Sequence, residues 1–198
     1  MIRILLLFIV FASLGIPAGF AVEVSLTGGR HIGPNETYRE LFQQGEIQPA
    51  LDEIHNHIQQ RPHLKEHNSY RYLVWLADRA EINYYIGQVD KAIDDLEHVV
   101  DEHPEPVFLL RLANYYKTRG RLDDYQTTLN RGRQRTRWSF HEQKDNLVAL
   151  GRIFEKLGEN PKRILSSFYN ILIEEFSDYA PATVAAGDLC LQRHAYDL

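Results

Sequence analysis

The chain has 198 residues, 44% hydrophobic and 25% charged, which is the composition of an ordinary globular domain. A formal net charge of −5 gives no global case for binding nucleic acid. A single cysteine, Cys190, excludes an intrachain disulfide, and a lone thiol carries no metal or redox signature.

Residues 1–21 have the layout of a secretory signal peptide. Arg3 supplies a positive start, Ile4 to Phe11 is a continuous apolar run, and Gly15 and Pro17 break a helix. Gly19-Phe20-Ala21 then offers small residues before a cut. The alternative is an uncleaved membrane anchor, because Ile4 to Val22 covers 19 residues, enough to span a bilayer. The glycines and the proline favour cleavage. No cysteine follows the apolar run, which argues against a lipid anchor. An exported, cysteine-poor chain fits a periplasmic or extracellular place in a bacterial envelope. Residues 22–35 are polar and carry Gly28, Gly29 and Gly33, so they are expected to form a flexible leader.

The remainder, 36–198, reads as all-α. Helices are expected over 36–44, 48–60, 68–86, 90–102, 106–119, 122–135, 140–157, 161–176 and 181–194. Apolar residues recur at three and four in Leu73, Leu76, Ala77 and Ala80, and again in Leu109, Leu112, Ala113 and Tyr116. No segment alternates long enough for a strand. Gly45, Gly87, Gly120 and Gly158 each follow one helical run and precede another, as an abrupt helix end requires. Pro62 and Pro104 are expected to close the second helices of the first two pairs. Thr37 with Glu40, and Ser139 with Glu142, form capping boxes. Asn160 is expected to cap a helix that has Pro161 at its first position.

One phrase occurs twice. Ala80-Glu-Ile-Asn-Tyr-Tyr-Ile-Gly87-Gln-Val-Asp is echoed by Ala113-Asn-Tyr-Tyr-Lys-Thr-Arg-Gly120-Arg-Leu-Asp, with the two glycines 33 residues apart. Such a period marks a helical repeat. These residues resemble the tetratricopeptide repeat. Ala80, Gly87, Val89, Ala92, Leu96, Val99 and Pro104 match its pattern of small, glycine, hydrophobic, alanine and closing proline positions. Ala113, Tyr116, Gly120, Leu122 and Leu129 match next best. Gly45, Ile47, Ala50, Ile54 and Pro62 suggest a first repeat; Gly151, Phe154 and Gly158 suggest a divergent fourth. Gly187, Cys190 and Tyr196 begin a fifth. The pattern departs at Asn83, where an aromatic is usual, and at Tyr125, where a small residue is usual.

The resemblance implies a right-handed α-solenoid of antiparallel helix pairs, with about four repeats and a truncated fifth in a domain that continues beyond the sequence. It also implies that the first helix of each pair lines a concave face. That places Ala77, Glu81, Tyr84 and Tyr85 there, then Val107, Leu110, Asn114 and Lys117, then Val148, Arg152 and Glu155. Of these, Glu81, Tyr84, Tyr85, Asn114, Lys117, Arg152 and Glu155 are the expected partner-binding residues. An amide can pair with a peptide backbone, cations meet carboxylates, and tyrosines give contact area at low entropic cost. The competing view makes the tyrosines half-buried core and the charges a solubilising coat. The family's clamp for a terminal carboxylate has a lysine where Leu110 stands, so that specialised use is not expected.

Two clusters carry residue types that could do chemistry. His63-Leu-Lys-Glu66-His67 has the H-x-x-E-H order of inverted zinc peptidases. It follows Pro62 directly and has no marked third ligand, so a solvated helix start is favoured. Arg131-Gly-Arg-Gln-Arg-Thr-Arg137-Trp138 is the one basic cluster, and its alternating arginines spread over two faces of a helix. No nucleophile elbow, phosphate loop, dinucleotide fingerprint or H-E-x-x-H occurs. The expected function is therefore a non-catalytic, envelope-located scaffold for a protein or peptide. It would need no cofactor or metal, bind no nucleic acid, and touch membrane only through an uncleaved signal anchor. The alternative is an N-terminal accessory module of a larger exported enzyme such as a zinc peptidase.

Overall fold

The computed structural model describes residues 37–134 and 144–192. The signal segment, the leader, the Ser139 cap, Tyr196, and Arg135, Arg137 and Trp138 of the basic cluster lie outside the described residues. Helices run as α1 (Thr37–Gln43), α2 (Ile47–Gln60), α3 (Pro62–Glu66), α4 (Tyr70–Tyr85), α5 (Val89–Glu102), α6 (Pro106–Arg119), α7 (Leu122–Arg133) and α8 (Lys144–Lys156). They continue through α9 (Pro161–Ile164), a π-helical turn (Leu165–Tyr169), α10 (Asn170–Glu175) and α11 (Ala180–Gln192). Among the described residues there is no strand. Pairs form from α1 with α2, α4 with α5, α6 with α7, and α8 with the α9–α10 run. Each pair packs on the next, through α2 on α4, α5 on α6, and α7 on α8. The result is an α-solenoid.

The turn inside each pair is the same object four times. Gly45, Gly87, Gly120 and Gly158 have φ of +83°, +81°, +79° and +79°. After each glycine, the next residue's N–H reaches back five positions, as in Glu46 to Leu41 O and Arg121 to Tyr116 O, each 2.8–2.9 Å. This double bonding satisfies carbonyls that a helix end leaves unpaired, and a Cβ would be strained at that φ. The backbone therefore repeats more faithfully than the side chains do.

Burial follows position in the stack. In α5 the apolar Ala92, Ile93, Leu96, Val99 and Val100 fall on one side, and that stripe alone is buried. By contrast, α4 buries every residue from Tyr72 to Asp78 because neighbours cover it on more than one side. Trp75 is fully enclosed with Tyr38, Phe42, Ala50, Ile54 and Ile82. Each such aliphatic or aromatic side chain contributes about 1.5–3 kcal/mol on leaving water. Small residues mark the close crossings. A Cβ on Gly132 of α7 would lie 2.7 Å from Ile153 Cδ1 of α8.

Three local features differ from expectation. Pro62 does more than close α2, which ends at Gln60. It is the first residue of α3, where a missing N–H costs nothing. Tyr125 is half-buried and bridges the cluster around Leu96 and the one around Leu129, so its ring fills the space of the usual small residue. The run 161–176 is one continuous helical path containing a π turn, whose extra residue per turn sets Tyr169 against Gly151. The Asn160 cap is present, accepting from Lys162 N–H at 2.9 Å ahead of Pro161.

Candidate functional site on the first-helix face

The first helices α4, α6, α8 and α11 are joined to one another by polar contacts spaced by about one repeat. Asp78, buried in α4, accepts from Tyr38 Oη at 2.8 Å and from Arg39 at 2.8 Å, tying α1 to α4. Tyr84 shares a 2.8 Å hydrogen bond with Thr118, and its ring stacks on Tyr115 with centroids 4.1 Å apart at 11°. Burial raises the Tyr115 phenol well above its ordinary range. Glu81 meets Arg111 at 2.9 Å, with both side chains largely enclosed. Burial would lower the Arg111 pKa, but Glu81, Tyr115 and Asp78 outweigh it and keep the guanidinium charged. Asp145 accepts from Tyr179 Oη, joining α8 to the turn before α11.

The seven expected partner-binding residues divide into two groups. Glu81, Tyr84, Arg152 and Glu155 are engaged inside the stack. Arg152 reaches Asp188 at 2.5 Å and Glu155 at 3.5 Å. The remaining three are more open. Tyr85 is 51% exposed, with an edge contact to Phe42 at 5.5 Å. Asn114 is half-buried, and among the described residues its carboxamide has no hydrogen-bond partner. Lys117 is exposed, lies 5.8 Å above the Tyr125 ring, and has no ion-pair partner among the described residues.

Lys156, which the sequence pattern did not single out, joins this open group. Burial of its surroundings lowers its pKa first, and the Lys117 charge lowers it further. Glu155 offsets part of this and Arg152 adds to it, so Lys117 and Lys156, from adjacent first helices, are near enough for their charges to oppose. The signal was available, since Lys156 stands roughly one repeat beyond Lys117, as Arg111 stands one repeat beyond Ala77, whose carbonyl it meets at 3.4 Å. His63 and His67 are both exposed around the five-residue α3. Among the described residues no cluster of three or more His, Cys, Asp or Glu side chains is placed to hold a metal ion. No helix among them is long and apolar enough to cross a membrane.

Among solved structures, this arrangement is similar to a putative kinesin light chain of Podospora anserina with nearly identical TPR-like repeats. The two share 18% identity over 81% of this chain and 84% of that one, with a TM-score of 0.54. The fold is tetratricopeptide-like. A tetratricopeptide repeat protein of Parabacteroides merdae is also similar, at 15% identity and a TM-score of 0.48 over 82% of this chain. This chain spans 59% of the length of that structure. No protein-family model matches the sequence, and no curated protein does. Identity this low speaks for the tetratricopeptide-like backbone and is silent on the guest.

Proposed function

We propose that the chain is a non-catalytic scaffold that holds an acidic, extended peptide or protein segment against its first-helix face, within a bacterial envelope. One observation carries this: Lys117 and Lys156 have no ion-pair partner among the described residues and stand near the Asn114 amide on that face, while neighbouring charges fasten one repeat to the next. A guest carboxylate relieves the lysine repulsion, and the Asn114 amide supplies a donor and an acceptor for a main chain. Tyr85 adds rigid contact area toward the second repeat. The envelope placement rests on the apolar run Ile4 to Phe11 alone.

The test places a photo-crosslinking residue at Lys117, and in a second variant at the exposed Gln126 of α7. Adducts to another polypeptide from position 117 and none from 126 support the assignment. Equal labelling from both, or none from 117, ends it. Location is tested separately by N-terminal sequencing of the cellular protein. A chain from the envelope beginning near Val22 supports export; a cytosolic chain beginning at Met1 refutes it.

A further inference from the structure

A groove of about 400 Å³ opens between α2, α4 and α5, the second helices of the first two repeats and the first helix between them. Its volume lies toward the lower end of small-ligand sites, roughly 300–1,000 Å³. Asn83 of α4 forms part of its wall and is only 6% exposed. Among the described residues its carboxamide has no hydrogen-bond partner, and its polar atoms open onto the groove rather than being sealed from water. The position is informative within this chain itself. Four residues before the turn glycine, the third repeat has Tyr116 and the fourth has Phe154, whereas the second has Asn83. A ring fills this place in two repeats; here a short amide leaves the space open. An amide turned into a groove with no protein partner is left for water or a ligand to pair.

The charges around it define what fits. Arg79 is occupied, because Asp95 accepts from it through both oxygens at 2.8 and 2.6 Å. Asp52 uses one oxygen to accept from Gln48. Asp94 and Lys91 have no ion-pair partner among the described residues. With the Arg79–Asp95 pair neutral, two carboxylates remain against one ammonium. We propose that this groove is a second binding site, for a single arginine within a peptide. The guanidinium fork meets the carboxylates of Asp94 and Asp52, and the adjacent peptide unit pairs with the Asn83 carboxamide, donor to acceptor and acceptor to donor. Lys91 on the same rim repels a second cation, so an isolated arginine fits and a basic run does not. The site is independent of the first-helix face.

The test titrates acetyl-Gly-Arg-Gly-amide and acetyl-Gly-Glu-Gly-amide separately into the ¹⁵N-labelled chain and follows the Asn83 side-chain NH₂ by NMR. The arginine peptide shifts it saturably at millimolar concentration and the glutamate peptide does not. D94N weakens that binding about tenfold, the equivalent of one charged hydrogen bond. N83F, which restores the ring found at Tyr116 and Phe154, abolishes binding while thermal unfolding by circular dichroism shows an intact fold. Should N83F fail to fold, the exposed D94N decides alone. No saturable shift at Asn83, equal binding of both peptides, or undiminished binding in D94N overturns the proposal. Shifts confined to Asn114, Lys117 and Lys156 overturn it too, while leaving the first-helix assignment standing.

Discussion

The contact between Gly151 and Tyr169 tests the packing of the fourth repeat through a substitution that ordinarily stabilises. Gly151 is buried in the middle of α8, where alanine gains roughly 1 kcal/mol over glycine through the unfolded chain and helix propensity. Here the added Cβ would stand 2.3, 2.6 and 2.7 Å from Cε1, Cζ and Oη of Tyr169. That ring is fully buried with Ile164, Leu165, Ala185 and Leu189, so it has no open side to swing toward. Overpacking of this kind costs about 1–3 kcal/mol, or more where the neighbour is a rigid ring, and it outweighs the helical gain. G151A should therefore lose about 1–2 kcal/mol, lowering the melting temperature by roughly 3–6 °C for a chain of this size. Gly187 of α11 supplies the internal control, since its Cβ would meet nothing within 4 Å. G187A should gain up to about 1 kcal/mol, a rise of roughly 2–4 °C. Thermal unfolding by circular dichroism reads both. If G151A melts at or above the parent temperature, Tyr169 does not lie across Gly151, and the π turn that aims it there is wrong.

Further outcomes follow from the same contacts. D78A removes the buried acceptor shared by Tyr38 and Arg39, so urea unfolding should show a loss of about 3 kcal/mol, and hydrogen exchange should quicken first in α1 and α2. Y169F deletes a hydroxyl that is buried without a hydrogen-bond partner among the described residues, and stability should rise by about 1 kcal/mol; a loss instead would mean that the hydroxyl is bonded. Alkaline pH should destabilise the stack. Burial first, and then the Glu105 carboxylate, push the Tyr70 phenol up to about 12, against about 10 in the unfolded chain. Its folded pKa is the higher one, so stability is complete below pH 10 and declines as pH rises toward 12. Chemical unfolding across that window should show the fall, and Y70F should make it shallower.

The pairing of helices was legible because its determinants are local. A glycine held at φ near +80° with a doubly bonded turn is announced by the residue itself, and the small residues Ala80, Ala92 and Ala113 sit where helices cross. The π turn was not legible, since Leu165 to Tyr169 has ordinary helical composition and the extra residue is set by fitting Tyr169 over Gly151. Helix α3 was missed because Pro62 reads equally as an end or a beginning. The candidate site was half legible. Glu81 and Arg152 were rightly placed on the first helices, but whether a charge there meets a guest or another repeat depends on residues 30 to 36 positions away.

That dependence has its own logic. In a one-dimensional stack each repeat touches only its neighbours, so a first-helix residue meets the residue about one period on. Ala77 meets Arg111, Tyr84 meets Thr118, and Asp145 meets Tyr179, each 34 residues apart. Where the two partners are complementary, the pair locks the repeats together and leaves little for a guest. Where they are alike, as with Lys117 and Lys156, stacking itself creates an unfavourable approach of charges that neither repeat has alone, and after burial it is the next cause of the lowered Lys156 pKa. The repulsion can be relieved from within or from without. K156E should relieve it from within, raising the melting temperature most at low salt, where screening is weakest. An acidic guest should relieve it from without, and should no longer raise the melting temperature of K156E. If K156E is no more stable than the parent at low salt, the lysines do not oppose one another, and the selection of an acidic guest loses its physical basis.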